Sequence, residues 1–194
     1  MIQQGLIRKV GQYYRNAAEY QEEVLRGKKE FFDLDSNESV DSLDTDIPLF
    51  NEWMMYDFRF SDGKNMFEKF YYENPLKIPS YRREIYKTLL ENYYGLFQVL
   101  EIRPFFGLTI KRLSDEKVFE VMEMSLTTQV GAEDVFIGRV AKVIDHYELV
   151  GADTKAVKMS QSNDEKLKKY YLEKVFPKTK MDTPKDAYIF FKNM

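Results

Sequence analysis

The chain has no cysteine and a single histidine among its 194 residues. Without cysteine it forms no disulfide, zinc ribbon or iron–sulfur cluster, and it has no thiol nucleophile. One histidine excludes multi-histidine metal sites and leaves His146 as the one imidazole available to a Ser-His type triad. Long apolar runs are also missing. No window approaches 18 consecutive apolar residues, so no membrane-spanning segment is expected. Met1-Ile2-Gln3-Gln4-Gly5 lacks the basic region and apolar stretch of a signal peptide, and Phe190-Phe191-Lys192-Asn193-Met194 matches no lipidation or retention signal. These absences together point to the cytoplasm and to no membrane partner.

What the chain does have is apolar and aromatic material. Hydrophobic residues make up 44% and aromatics 15%, enough to bury a core, and the length suits one compact domain, or one small domain plus appendages, rather than two full domains. The net charge of −3 conceals a segregation. Residues 33–57 carry eight acids and no base, 153–194 are net +4, 96–152 are net −3, and 1–32 and 58–95 are each +2.

Leu6, Val10, Tyr13, Ala17, Tyr20 and Val24 recur at alternating spacings of four and three, which predicts a helix over 3–32. Residues 33–47 offer almost nothing to bury and read as an acidic linker that ends at Pro48. Phe50, Trp53, Met54 and Asp57 share a face of a short helix within 49–60, and Ser61-Asp62-Gly63 is a turn. Asn65–Asn74 is helical up to Pro75. Ser80 caps a helix expected to reach Tyr94, with Gly95 as its C-cap.

The period then shortens toward two. Candidate strands are 96–102, 108–113, 118–124, 135–144 and 147–152, separated by short turns; they suggest an antiparallel meander curling into a small barrel. Gly138 inside the fourth is a natural bend. Asn163-Asp164-Glu165 opens a helix that stops at Pro177, and Thr183-Pro184-Lys185-Asp186 caps a last one. The expected fold is therefore α+β, with a helical N-terminal part, a five-stranded antiparallel barrel-like sheet and C-terminal helices. Its segments are an N-terminal helix over 1–32, an acidic linker over 33–48, a helical lead-in plus small β-barrel-like domain over 49–152, and a basic helical tail over 153–194.

Phe50-Asn51-Glu52-Trp53-Met54-Met55-Tyr56-Asp57 resembles the F-x-E-W-x-x-[FY]-D pattern of a widespread bacterial family to which no activity is assigned. That family follows the pattern with a D-G-[KR] turn, matched by Asp62-Gly63-Lys64, and then with an aromatic strand ending in Glu101-Ile102. Gly107-Leu108-Thr109-Ile110 and a segment from Gly131 to Arg139-Val140 match its later patterns. The resemblance covers roughly residues 49–152 and implies a helical lead-in followed by a small β-domain. Some members end in a cysteine-rich zinc motif, which this chain cannot form.

Three constellations carry possible chemistry. Asp33, Asp35, Asn37, Ser39, Asp41 and Asp44 stand at positions 1, 3, 5, 7, 9 and 12 of a loop with EF-hand ligand spacing. Glu38 replaces the glycine of position 6, Asp44 is shorter than the bidentate Glu, and Pro48 follows too soon for the exiting helix, which favours a solvated linker over calcium. Trp53 and Asp57, one helical turn apart, form a candidate ligand- or partner-binding pair, with Arg139 or Arg59 as the partner a buried Asp57 requires. His146, beside Asp145 at a hairpin turn, has no Gly-x-Ser-x-Gly elbow to serve.

No cofactor and no catalytic residue is indicated, and enzymatic activity is disfavoured. The leading expectation is a non-catalytic protein-interaction module, held by a protein partner or by self-association through its helical arms. Two alternatives stay open: a single-stranded nucleic-acid binder using the barrel and basic tail, and a hydrolase built on carboxylates.

Overall fold

The computed structural model describes residues 2–35, 46–153 and 165–193. The chain divides into two compact units, Met1–Leu90 with Thr183–Met194, and Glu91–Asp182. The basic segment 153–194 is thereby shared between them.

The first unit is helical: α1 Ile2–Asn16, α2 Gln21–Phe32, α3 Ile47–Tyr56, α4 Met66–Glu73 and α5 Ser80–Leu89, joined by the C-terminal helix (Pro184–Lys192). The single helix expected over 3–32 is interrupted at Ala17, whose backbone is extended. The Gln21 side-chain amide donates to the carbonyls of Arg15 and Ala17, satisfying acceptors that a helix end leaves free. Asn65 and Glu68 form a reciprocal capping box at the start of α4, and Thr183 and Asp186 form another before Pro184. Rings dominate the core. Phe31 lies against Phe32, Phe50, Trp53 and Tyr188, and Tyr14 against Tyr13, Tyr20 and Phe60.

The second unit contains β1 Asn92–Arg103, β2 Gly107–Arg112, β3 Val118–Met122, β4 Val135–Val143 and β5 His146–Asp153, followed by α6 Glu165–Tyr170; the C-terminal helix of the first unit is α7. The strands pair in the closed order β1-β2-β3-β5-β4. This corrects the expected antiparallel meander. Four pairings are antiparallel, but β3 and β5 run parallel through Val121↔Tyr147 and Met122↔Glu148, so the sheet is mixed.

β1 makes the closed order possible. Its first half pairs with β4 and its second with β2, and the register shift between Val99 and Glu101 leaves Leu100 as an extra, exposed residue. Such a bulge bends the strand so that its two halves serve different neighbours. The second shift, between Arg139 and Val140, adjoins Gly138, where a bend was expected. β1 also claims Tyr93 and Tyr94, so α5 stops at Leu89. Their pairing with Val140 and Arg139 outweighs the helical pattern they continue. Phe97, Val99, Leu108, Ile110, Phe119, Val121, Phe136 and Val140 fill the interior.

Candidate binding cleft

The β1–β2 connection is Pro104-Phe105-Phe106, closed by the Phe106 amide donating to the Arg103 carbonyl at 2.9 Å. Proline fixes a negative φ at the second turn position, and Phe105 at the third has φ +63°. This is a turn that favours Gly or Asn at the third place, and an L-residue with a bulky side chain there costs about 1–2 kcal/mol. The outcome is two phenylalanines held in water, 69% and 77% exposed. Gly107 follows because a Cβ there would sit 2.1 Å from the Val121 carbonyl oxygen, so β2 and β3 could not approach.

A cleft of about 500 Å³ runs along β3 in the same unit. Arg103 and Phe106 form one wall, residues 118–122 the length, and Asp145, His146 and Tyr147 the other wall. Along β3 the buried side chains of Phe119 and Val121 alternate with the outward Val118, Glu120 and Met122. The Tyr147 ring meets Phe119 edge-on at 5.2 Å, and Tyr93 lies 5.0 Å from Phe119, with the Lys117 ammonium 3.8 Å above it. Val118 and Met122 add exposed apolar surface to the cleft, and Met124 and Ile144 are exposed just beyond its lining residues in sequence.

Carboxylates set the electrostatics. His146 Nδ1 lies 3.0 Å from Asp145 and Nε2 lies 2.8 Å from Glu148. The hydrogen bonds of Asp145 and then Glu148 raise the imidazole above its usual 6.5. With both nitrogens so engaged, His146 is not aimed at a Ser or Thr. The Tyr147 hydroxyl donates to Glu91 at 2.6 Å, and that bond pushes the phenol up to about 12 and draws Glu91 below its ordinary range. Arg103 lies 3.7 Å from Glu120 in an exposed pair, worth little by itself. The cations of the cleft are thus matched by acids.

The residues singled out in the sequence lie elsewhere. Trp53 is buried in the helical unit, 5.2 Å from the Phe58 ring, and Asp57 closes the same helix α3 as its C-cap. Arg59 pairs with Glu68. Arg139, in the other unit, is 2% exposed, donates to Asn92 at 2.6 Å and stands over the Tyr94 ring. Of the calcium set, Asp33 is the left-handed cap of α2 and Asp35 follows it, while Asn37, Ser39, Asp41 and Asp44 lie outside the described residues. Among the described residues no group of three or more His, Asp or Glu is placed to hold a metal ion, and no helix is long and apolar enough to cross a membrane.

The sequence marks the cleft only through Pro104-Phe105-Phe106-Gly107, two large apolar residues in a turn, where polar residues are the rule. Compared with models of known families, with curated proteins and with solved structures, the chain matches none. The family resemblance at 49–152 rests on its motif residues alone.

Proposed function

We propose that the Glu91–Asp182 unit is a protein-interaction module whose β3 cleft receives a short partner segment bearing an apolar side chain beside Lys or Arg. The observation that carries this reading is the Pro104-Phe105-Phe106 turn, which, against a backbone cost, keeps Phe106 exposed in the wall of the cleft and Phe105 exposed next to it in the turn. Exposed aromatics and methionines grouped at a cleft are the anchors that protein partners use. Glu120 and Asp145 line the same surface with Glu148 behind His146, and these three carboxylates outnumber Arg103 and His146, so the surface stays net acidic and complementary to a basic segment.

A second reading is favoured by topology. The order β1-β2-β3-β5-β4, with a long bulged β1, supports a small barrel of the oligonucleotide- and oligosaccharide-binding type, in which ligands lie over the second and third strands between the β1–β2 and β4–β5 loops. The cleft lies beside the third of these strands, between these loops. Bases could stack on Phe106 or Tyr147. A phosphate backbone, however, needs clustered unpaired cations, and here Arg103 faces Glu120 and His146 faces Asp145 and Glu148.

Selection of displayed random dodecapeptides on the full chain, followed by anisotropy titration, separates the two. The expected result is enrichment of sequences pairing an apolar residue with Lys or Arg, bound with dissociation constants on the order of micromolar, and at least tenfold weaker binding by Phe106→Ser. Failure to enrich any such peptide, together with tight and salt-sensitive binding of a 20-nucleotide oligothymidylate, would replace this reading with the second.

A further inference from the structure

The helical unit holds a second, smaller pocket of about 90 Å³. Its wall is largely apolar, made by Val24, Phe50, Met54, Met55 and Met66 with Asn51 among them, and Arg8 and Arg15 also line it. The two arginines are seven residues apart on α1, two turns along one face and on the order of 10 Å in axial rise. Arg15 is folded back along the helix, its Nε donating to the Gly11 carbonyl at 3.2 Å, which carries its guanidinium toward Arg8. Gly11 lies between them, and a Cβ there would come to 3.2 Å from Met55 Sδ, so this glycine keeps the wall between the two cations low. Neither arginine forms an ion pair among the described residues.

We infer that this pocket binds a small carboxylate with a short apolar tail, the tail among the methionines and the carboxylate on Arg8 and Arg15. Two exposed guanidiniums that form no ion pair among the described residues, beside a largely apolar recess with no acid in its lining, are complementary to a ligand that is anionic at one end and apolar at the other. The guanidinium fork matches a planar carboxylate in particular. Size limits the tail. A cavity of about 150 Å³ admits a benzene-sized guest, so the tail here is shorter, while thioether chains give the wall enough adaptability to close around it. The inference concerns the helical unit and does not rest on the β3 cleft.

The test is methionine-methyl NMR on the full chain, with pentanoate as the probe and acetate and pentanol as controls. Pentanoate is expected to shift the methyl signals of Met54, Met55 and Met66, leaving Met122, Met124 and Met181 unmoved. Acetate is expected to bind more weakly for lack of a tail, and pentanol for lack of a charge. Arg8→Gln with Arg15→Gln is expected to weaken pentanoate at least about tenfold and to leave pentanol unchanged. Both arginines are exposed, so the variant keeps its fold, and the same spectrum reports it. No shift of the three pocket methionines, or equal binding of pentanoate and pentanol to the native chain, would overturn the assignment whatever the variant does.

Discussion

Lys69 is a cation with an 11% exposed side chain, bonded to Asp62 at 2.6 Å and Glu73 at 2.9 Å and lying over the faces of Tyr20 and Phe60. Asp62 belongs to the Asp62-Gly63-Lys64 turn, so this turn has a structural use: it fixes a carboxylate on the buried Lys69 of α4. The Lys69 hydrogen bond draws Asp62 below its ordinary range. A carboxyl lowered in the folded state stabilises the fold above its unfolded value, and that stability is lost as pH falls through the folded one. Chemical denaturation of Lys69→Met should show a loss on the order of 1–3 kcal/mol at neutral pH and a flatter decline below about pH 4 than the native chain. Tyr14 presents the opposite case. Its hydroxyl is buried with no hydrogen-bond partner among the described residues, and burial holds its ionisation far above the usual range. Tyr14→Phe removes a polar atom without breaking a bond and should leave stability unchanged or raise it by about 1 kcal/mol.

Among the elements, the β1–β2 turn joins a stability cost to the proposed binding surface. Phe105→Gly relieves the positive φ and removes a side chain that buries little, so it should stabilise the chain by roughly 0.5–1 kcal/mol while weakening the selected peptides. A loss of stability on urea titration would show that Phe105 is held for packing. At the other wall, His146 is raised in the folded state, so its pairing with Asp145 and Glu148 contributes below the usual imidazole range and is lost as pH rises through the folded value. Thermal melts between pH 6 and 8 should fall less in His146→Gln than in the native chain. These elements also differ in how legible they are in the sequence. Strand positions were legible because alternation and short turns are local properties. The boundary of α5 was not, since Tyr93 and Tyr94 continue a helical pattern equally well. Neither the parallel β3–β5 contact nor the β1–β4 closure leaves a local trace, because both are set by which residues meet across the sheet. Without them the cleft could not be seen, and His146 read as a turn residue alone.

For the whole molecule, charge is distributed unevenly along the sequence. The acids concentrate in 33–57, the bases in 153–194, and the sheet segment between Gly95 and Gly151 is mildly acidic. Association of a basic peptide with that segment should therefore weaken as salt rises, but with a shallower dependence than counterion release from a nucleic acid gives. The most direct test of the β3 cleft is hydrogen exchange of the full chain with and without a selected peptide. Slowed exchange is expected at residues 104–107, 118–122 and 145–148, with the helical unit unchanged. Protection confined to the helices, or none along β3, would contradict the assignment of this cleft as the site of interaction.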